Sequence, residues 1–155
     1  MKLDIIAVSP LWRRAPGARS SARKAIGAAA KLCGVALSPK AEAALQLSDD
    51  AKVRALNARW RGKDVATNVL SFPAARTDGL AAAPLLGDIV VAYETLALEA
   101  ERQHVPFNDH FLHLTVHGFL HLVGFDHETP GQARKMENLE RRILAELDIA
   151  DPYQD

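Results

Sequence analysis

A chain of 155 residues, 48% hydrophobic and 25% charged, can bury one sizeable core and is too short for two, so a single domain over residues 1–155 is expected. Its net charge of zero argues against a uniformly basic nucleic-acid binder, and no apolar run approaches the length of a membrane span. The start MKLDIIAVSP carries an acid at Asp4 and too short an apolar run for a signal peptide, so a soluble, cytoplasmic protein without a membrane partner is expected.

Residues 3–8 alternate and are rich in isoleucine and valine, which predicts a strand ended by Pro10. An alanine-rich helix follows from Ala18 to Cys33, stopped by Gly34. Cys33 has no partner for an internal disulfide, and its neighbours at helical spacing, Ile26, Ala29 and Ala30, place it in a core. Residues 1–31 carry a net charge of +6, residues 32–87 carry +2 and the remainder carries −8. This is either a basic face that meets phosphate or a solvated helix face bearing Arg13, Arg14, Arg19, Arg23, Lys24 and Lys31. The alternation of Ala41, Ala43, Leu45 and Leu47 fits a strand. The cluster Ser48-Asp49-Asp50 then supplies caps for a helix from Asp50 to Trp60, which Gly62 ends.

Two further strands are expected at Thr67–Phe72 and Asp88–Tyr93, the second with the continuous apolar run Ile89-Val90-Val91-Ala92 typical of a strand buried on both faces. The intervening ARTDGLAAAPL has no periodic pattern and is expected to be a flexible connection, either a mobile loop beside a functional site or an ordinary surface loop. Helices follow at Thr95–His104, Phe107–Val123 and Gly131–Asp148, the last with Thr129 and Pro130 as cap and first turn.

The segment His117-Gly-Phe-Leu-His121-Leu-Val-Gly124-Phe-Asp126-His127 is the most informative in the chain. At about 100° per residue, His117 and His121 lie one helical turn apart on one face, so both rings can reach one point. Gly124 can take the left-handed conformation that ends a helix, and the reversed chain returns His127 to the first two rings. Three neutral imidazoles suit zinc, and three protein ligands leave a fourth position open, as in catalytic sites. Against the zincin pattern H-E-x-x-H-x-x-G-x-x-H, every ligand and the glycine match, but Gly118 replaces the general-base glutamate. A glycine inside a helix costs about 1 kcal/mol relative to alanine. Its presence leads to the expectation that a bulky or anionic substrate approaches the metal closely there. His113, four residues before His117, reads as a packed residue or one that supports a ligand from behind. Asp126 either orients a ligand imidazole or bonds its own turn backbone. The expected fold is α+β, one layered domain with a four-stranded mixed sheet, about five helices and a zincin-like metal-binding helix against the sheet.

Four blocks carry a resemblance to a known family: LNARWRGKDVATNVLSFP at 56–73, LGDIVVAYETLALEA at 86–100, HFLHLTVHGFLHLVGFDHE at 110–128 and MENLERRIL at 136–144. Together they closely resemble the YbeY family of bacterial ribosomal-RNA maturation factors, while the first 50 residues carry little of the likeness. The resemblance implies a single-strand-specific, metal-dependent endoribonuclease that matures the 3′ end of small-subunit rRNA and takes part in ribosome quality control. It implies zinc, one ion per chain, on His117, His121 and His127, and a functionally important arginine at Arg61. It also implies ribosomal RNA and ribosomal subunits as partners, with ribosomal proteins or assembly GTPases beside them. Ala66 departs from the proline common before the threonine, and Asn68 stands where many members have aspartate, which weakens any carboxylate role there.

The chemistry of the residues agrees with that implication. A dication on three neutral ligands keeps its full charge and favours a phosphodiester. Arg61, at a helix end, can hold a phosphate oxygen through its planar fork or simply be solvated, and Lys63 and Asp64 either line the cleft or form the turn. With no glutamate at position 118, the nucleophile is either metal-bound hydroxide or the substrate's own 2′-hydroxyl. Two other readings are an RNA-binding ribosome assembly factor with a mainly structural zinc, and a metallopeptidase, the latter opposed by Gly118.

Overall fold

In a computed structural model that describes residues 1–154, the chain runs β1 (Lys2–Ala7), a 3-10 turn (Pro10–Arg14), α1 (Ala18–Leu32), β2 (Glu42–Ser48), α2 (Asp50–Arg61) and β3 (Val69–Pro73). A second 3-10 turn (Thr77–Ala82), β4 (Leu85–Ala92), α3 (Tyr93–Gln103), α4 (Phe107–Leu122) and α5 (Pro130–Glu146) complete it. The strands form one mixed sheet in the order β1-β2-β4-β3, with β3 antiparallel to β4 and the other pairs parallel. The α+β class, the mixed four-stranded sheet and the five α-helices are those expected from the pattern.

The two faces of the sheet explain the apolar runs. Ala43, Leu45 and Leu47 of β2 and Ile89 and Val91 of β4 join the main core with α1, α4 and α5. Val90 and Ala92 point the other way and pack with Leu70 and Val53 under α2. A strand covered on both sides has no polar face, hence the unbroken run. Local capping chemistry sets the helix bounds. The Asp49 carboxylate accepts from the Lys52 amide at 2.9 Å to start α2, and Gly62, at φ 67°, stops it. Thr129 and Gln132 form a reciprocal capping box at the start of α5.

Two connecting segments differ from the pattern. The connection from Ala75 to Leu85 is built around the 3-10 turn, which Leu80, 4% exposed, pins to the main core. One anchoring leucine among small residues leaves no periodic trace in the sequence. The turn at Pro10–Arg14 also went unanticipated. It buries Trp12, whose indole N–H donates to the Ser48 carbonyl at 2.7 Å.

Arginines close both edges of the sheet. Arg19 and Arg23 on α1 donate to the carbonyls of Ile5 and Leu3 at 2.6 and 2.7 Å, so part of the basic N-terminal charge secures the exposed edge of β1. At the opposite edge, Arg61 donates to the Ser71 carbonyl at 2.6 Å. Unpaired edge groups otherwise invite pairing with other chains.

The place of Gly118 overturns the expectation of substrate approach. It is buried against the sheet, where a Cβ would stand 2.8 Å from Ile89 Cγ2 and 3.2 Å from the Ser71 hydroxyl. That hydroxyl donates to the Gly118 carbonyl at 3.0 Å. Glycine is needed because α4 seats directly on β3 and β4. Gly118→Ala should therefore lower stability despite the helix propensity that alanine adds, since overpacking of about 1–3 kcal/mol exceeds a gain of about 1 kcal/mol. A lower urea midpoint is the expected result, and an unchanged one would show slack between α4 and the sheet.

Candidate metal centre

The site is built at the last turn of α4 and the bend that follows. The Phe125 amide donates to the Leu120 carbonyl at 3.0 Å, and Gly124 takes φ 97°, folding the chain back. This brings His127 beside His117 and His121, with one ring nitrogen from each within 4.8 Å of the others. The ring centroids of His127 lie 5.5 Å from His117 and 5.0 Å from His121.

Hydrogen bonds behind two of the rings fix which nitrogens face the cleft. His121 Nδ1 lies 3.0 Å from the Phe125 carbonyl, and His117 Nδ1 lies 3.2 Å from a Glu140 carboxylate oxygen. A carbonyl and an ionised carboxylate only accept, so both Nδ1 atoms carry the proton and both Nε2 atoms present lone pairs. Those Nε2 atoms are 3.1 Å apart. At that separation two lone pairs repel unless a positive charge lies between them, either a proton shared in an Nε2–H···Nε2 bond or a metal ion that replaces it. Tetrahedral nitrogens about 2.0–2.1 Å from zinc are roughly 3.3–3.4 Å apart, so His117 and His121 already stand at the separation such an ion needs, and His127, within 4.8 Å, would close in to complete the set. Burial, followed by the charges of His117 and His127, lowers the His121 pKa and favours the neutral ring that ligation requires.

Glu140 is the residue that sequence reasoning missed. It lies on α5 and is 0% exposed. Its Oε1 accepts from His113 Nε2 and from the Tyr153 hydroxyl, each at 2.7 Å, while Oε2 faces His117. Burial raises its pKa, but hydrogen bonds from His113, His117 and Tyr153 outweigh that and hold it at about 2. Burial first, then the Glu140 charge, pushes the Tyr153 phenol above its ordinary range. A signal was present, because Glu140 interrupts the buried stripe Met136, Leu139, Ile143, Leu144 along α5. His113 thus supports the site through Glu140.

The other sequence-derived candidates divide. Arg61 reaches an open cleft of about 590 Å³ that also takes in Ser71, Thr77 and the three histidines. Its guanidinium lies 5.5 Å from the Phe72 ring centroid. Lys63 is exposed in the turn beyond α2 and does not line that cleft. Asp64 is paired with Arg54 at 2.7 Å on the surface, so the turn reading holds for it. Asp126 borders the cleft, but its carboxylate accepts from the His127 amide at 2.8 Å and from no imidazole. A short side chain in a tight turn reaches its own backbone first. Asn68 donates to Glu99 at 3.0 Å, and Glu99 also meets His110 at 2.8 Å, so the carboxylate in this corner comes from α3.

A layered α+β frame that gathers three histidines over a cleft defines a protein equipped to hold a metal ion. Comparison with known proteins narrows the class. The sequence model of the family described as Endoribonuclease YbeY matches residues 16–148, reaching well before the blocks that carry the visible resemblance. A protein named Endoribonuclease YbeY from Nitrobacter hamburgensis is 51% identical, over 97% of this chain and 80% of its own length. One of the same name from Rhodopseudomonas palustris is 50% identical, over 98% and 90%. The solution structure of a Thermotoga maritima protein aligns over 99% of both chains with a TM-score of 0.59 at 21% identity, a likeness of fold. This chain belongs to the YbeY family.

Cobalt(II) titrated into chelator-treated protein should bind at one ion per chain with the intense visible bands of a tetrahedral site. Single alanine variants of His117, His121 and His127 should each abolish those bands. Bands that survive in all three variants would place the ion elsewhere.

Proposed function

We propose that this chain is a zinc-dependent endoribonuclease that cuts single-stranded or exposed ribosomal RNA in the cytoplasm, maturing the 3′ end of small-subunit rRNA and acting in ribosome quality control. The observation that carries this reading is the gathering of one ring nitrogen each from His117, His121 and His127 within 4.8 Å, in a cleft that Arg61 also borders. The relatives' shared name, Endoribonuclease YbeY, supports the reaction class.

When bound, zinc supplies Lewis-acid stabilisation to a phosphoryl oxygen. The chain's own residues do the rest. His117, His121 and His127 are uncharged donors when ligating, so the site keeps a net positive field toward a phosphodiester. Arg61 commits one nitrogen to the Ser71 carbonyl, which fixes the fork and leaves its remaining N–H groups for phosphate oxygens. Preorganised donors of this kind lose little orientational freedom on binding.

Two features oppose a peptidase. No carboxylate follows His117 to serve as base, since Gly118 faces the sheet. The edge of β3, where an extended peptide would add, is blunted because Arg61 occupies the Ser71 carbonyl and Pro73 has no N–H. A purely structural zinc is opposed by the donor count. Among the described residues the cluster holds three such groups, whereas structural zinc sites close with four.

His121→Ala should reduce cleavage of single-stranded rRNA fragments to background while circular dichroism and RNA affinity are retained. Arg61→Glu should lower the rate by about 10²-fold or more, the scale of losing one preorganised donor. Retained cleavage in both variants would overturn the reading, and global unfolding of His121→Ala would favour the structural role. End-group analysis assigns the nucleophile, because 2′,3′-cyclic phosphate ends indicate the 2′-hydroxyl and exclude water.

A further inference from the structure

The C-terminal segment beyond α5 is tied to the back of the metal centre. Asp151 accepts from the Arg141 guanidinium at 3.0 Å and from the Tyr153 amide at 2.8 Å. These bonds bend the chain so that the Tyr153 ring lies under Arg141, 5.3 Å from its guanidinium carbon. The phenol then reaches inward to Glu140 Oε1 at 2.7 Å and stands 3.2 Å from His113 Nε2. From Glu140 the second carboxylate oxygen continues to His117 Nδ1. A continuous set of hydrogen bonds therefore runs from Asp151, through Tyr153 and Glu140, to the ring of a candidate ligand.

Each link restricts the next. His117 can rotate about its side-chain bonds and can carry its proton on either nitrogen, and only the Nδ1–H form offers Nε2 to a cation. An acceptor at Nδ1 selects that form and that ring angle. Glu140 is such an acceptor, but a carboxylate can itself rotate between partners. His113 and Tyr153 together hold Oε1, so Oε2 is left for His117. His121 has its equivalent support from a backbone carbonyl in its own turn. His117 depends on side chains from α5 and the tail, which come 23 and 36 residues later.

We propose that Glu140 is a positioning residue for His117 and that the segment Asp151–Tyr153 is the strut that fixes Glu140, so that the ordered tail sets how tightly the centre holds its ion. The proposal rests on the metal-site reading above. Its partner is a divalent cation with a preference for imidazole, for which zinc and cobalt(II) are the probes.

The test uses the full chain and the isosteric variants Glu140→Gln and Tyr153→Phe. Zinc dissociation constants by chelator competition should rise about 10–100-fold in Glu140→Gln, the range seen for residues that support metal-bound histidines. A rise of about fivefold is expected in Tyr153→Phe, equivalent to one modest hydrogen bond. The cobalt(II) bands should shift in both, which a loss of general stability would not produce. In the metal-free protein at pH 8, long-range proton–nitrogen correlation should show His117 as the Nδ1–H form in wild type and a mixture in Glu140→Gln. Wild-type affinity and spectra in Tyr153→Phe, together with an unchanged His117 tautomer in Glu140→Gln, would overturn the proposal. Should Glu140→Gln fail to fold, Tyr153→Phe at the periphery decides alone through affinity and spectrum. A wild type that binds no ion would sink the metal reading instead, and the tautomer would still judge Glu140.

Discussion

The close seat of α4 on β3 and β4 fixes most of what the molecule can do. Residue 118 has no side chain, so the helix backbone comes within bonding distance of Ser71, whose hydroxyl reaches the Gly118 carbonyl. Phe119, Leu120 and Val116 then fill the main core with no exposure, which sets the rotation of the helix about its axis. With that rotation fixed, His117 and His121 face the cleft beside β3, and Gly124 completes the bend that returns His127. A longer side chain at 118 would lift the helix and tilt all three donors. The packing constraint and the geometry of the centre are therefore one constraint.

Electrostatics supply the second layer. A carboxylate with no solvent contact is costly unless hydrogen bonds and opposite charge offset its lost hydration. Glu140 has the hydrogen bonds, yet its donors are two imidazoles and a phenol, none of which is permanently charged. A cation held at His117 Nε2 would offset the remaining charge through the polarised ring. The helix that carries the carboxylate and the helix that carries the donors thus depend on each other's chemistry as well as on packing.

How far the sequence revealed this depended on the distance over which each feature acts. Local features were legible. The spacing of His117, His121 and His127 around Gly124 announced a shared point because one helical turn and one bend decide it. The unbroken run at Val90 and Ala92 announced a strand covered on both faces, and Asp49, Gly62 and Thr129 announced helix ends. Gly118 was legible as a requirement and misread in its cause, since whether it met a substrate or the sheet depended on how α4 crosses β4. Tyr153 left no signal and Glu140 showed only as a break in the buried stripe of α5, because their partners lie on other elements and no spacing rule links them. Leu80 escaped for the same reason, being a single contact without a period.

The arginines at the sheet edges show why fold and function are hard to separate here. Arg19 and Arg23 cap carbonyls of β1, and Arg61 caps the Ser71 carbonyl of β3, so each blocks strand addition. At β1 that is a sufficient account of the contact. At β3 the same bond also orients the remaining guanidinium N–H groups on the rim of the cleft that holds the three histidines. An edge made unfit for a peptide becomes, by the same contact, a rim suited to phosphate. Removing Arg61 by substitution would therefore do two things at once, exposing a backbone acceptor to other chains while taking positive charge from the rim of the histidine cleft. This coupling sets Arg61 apart from the arginines at the β1 edge, because one bond serves both the strand edge and the rim of the cleft.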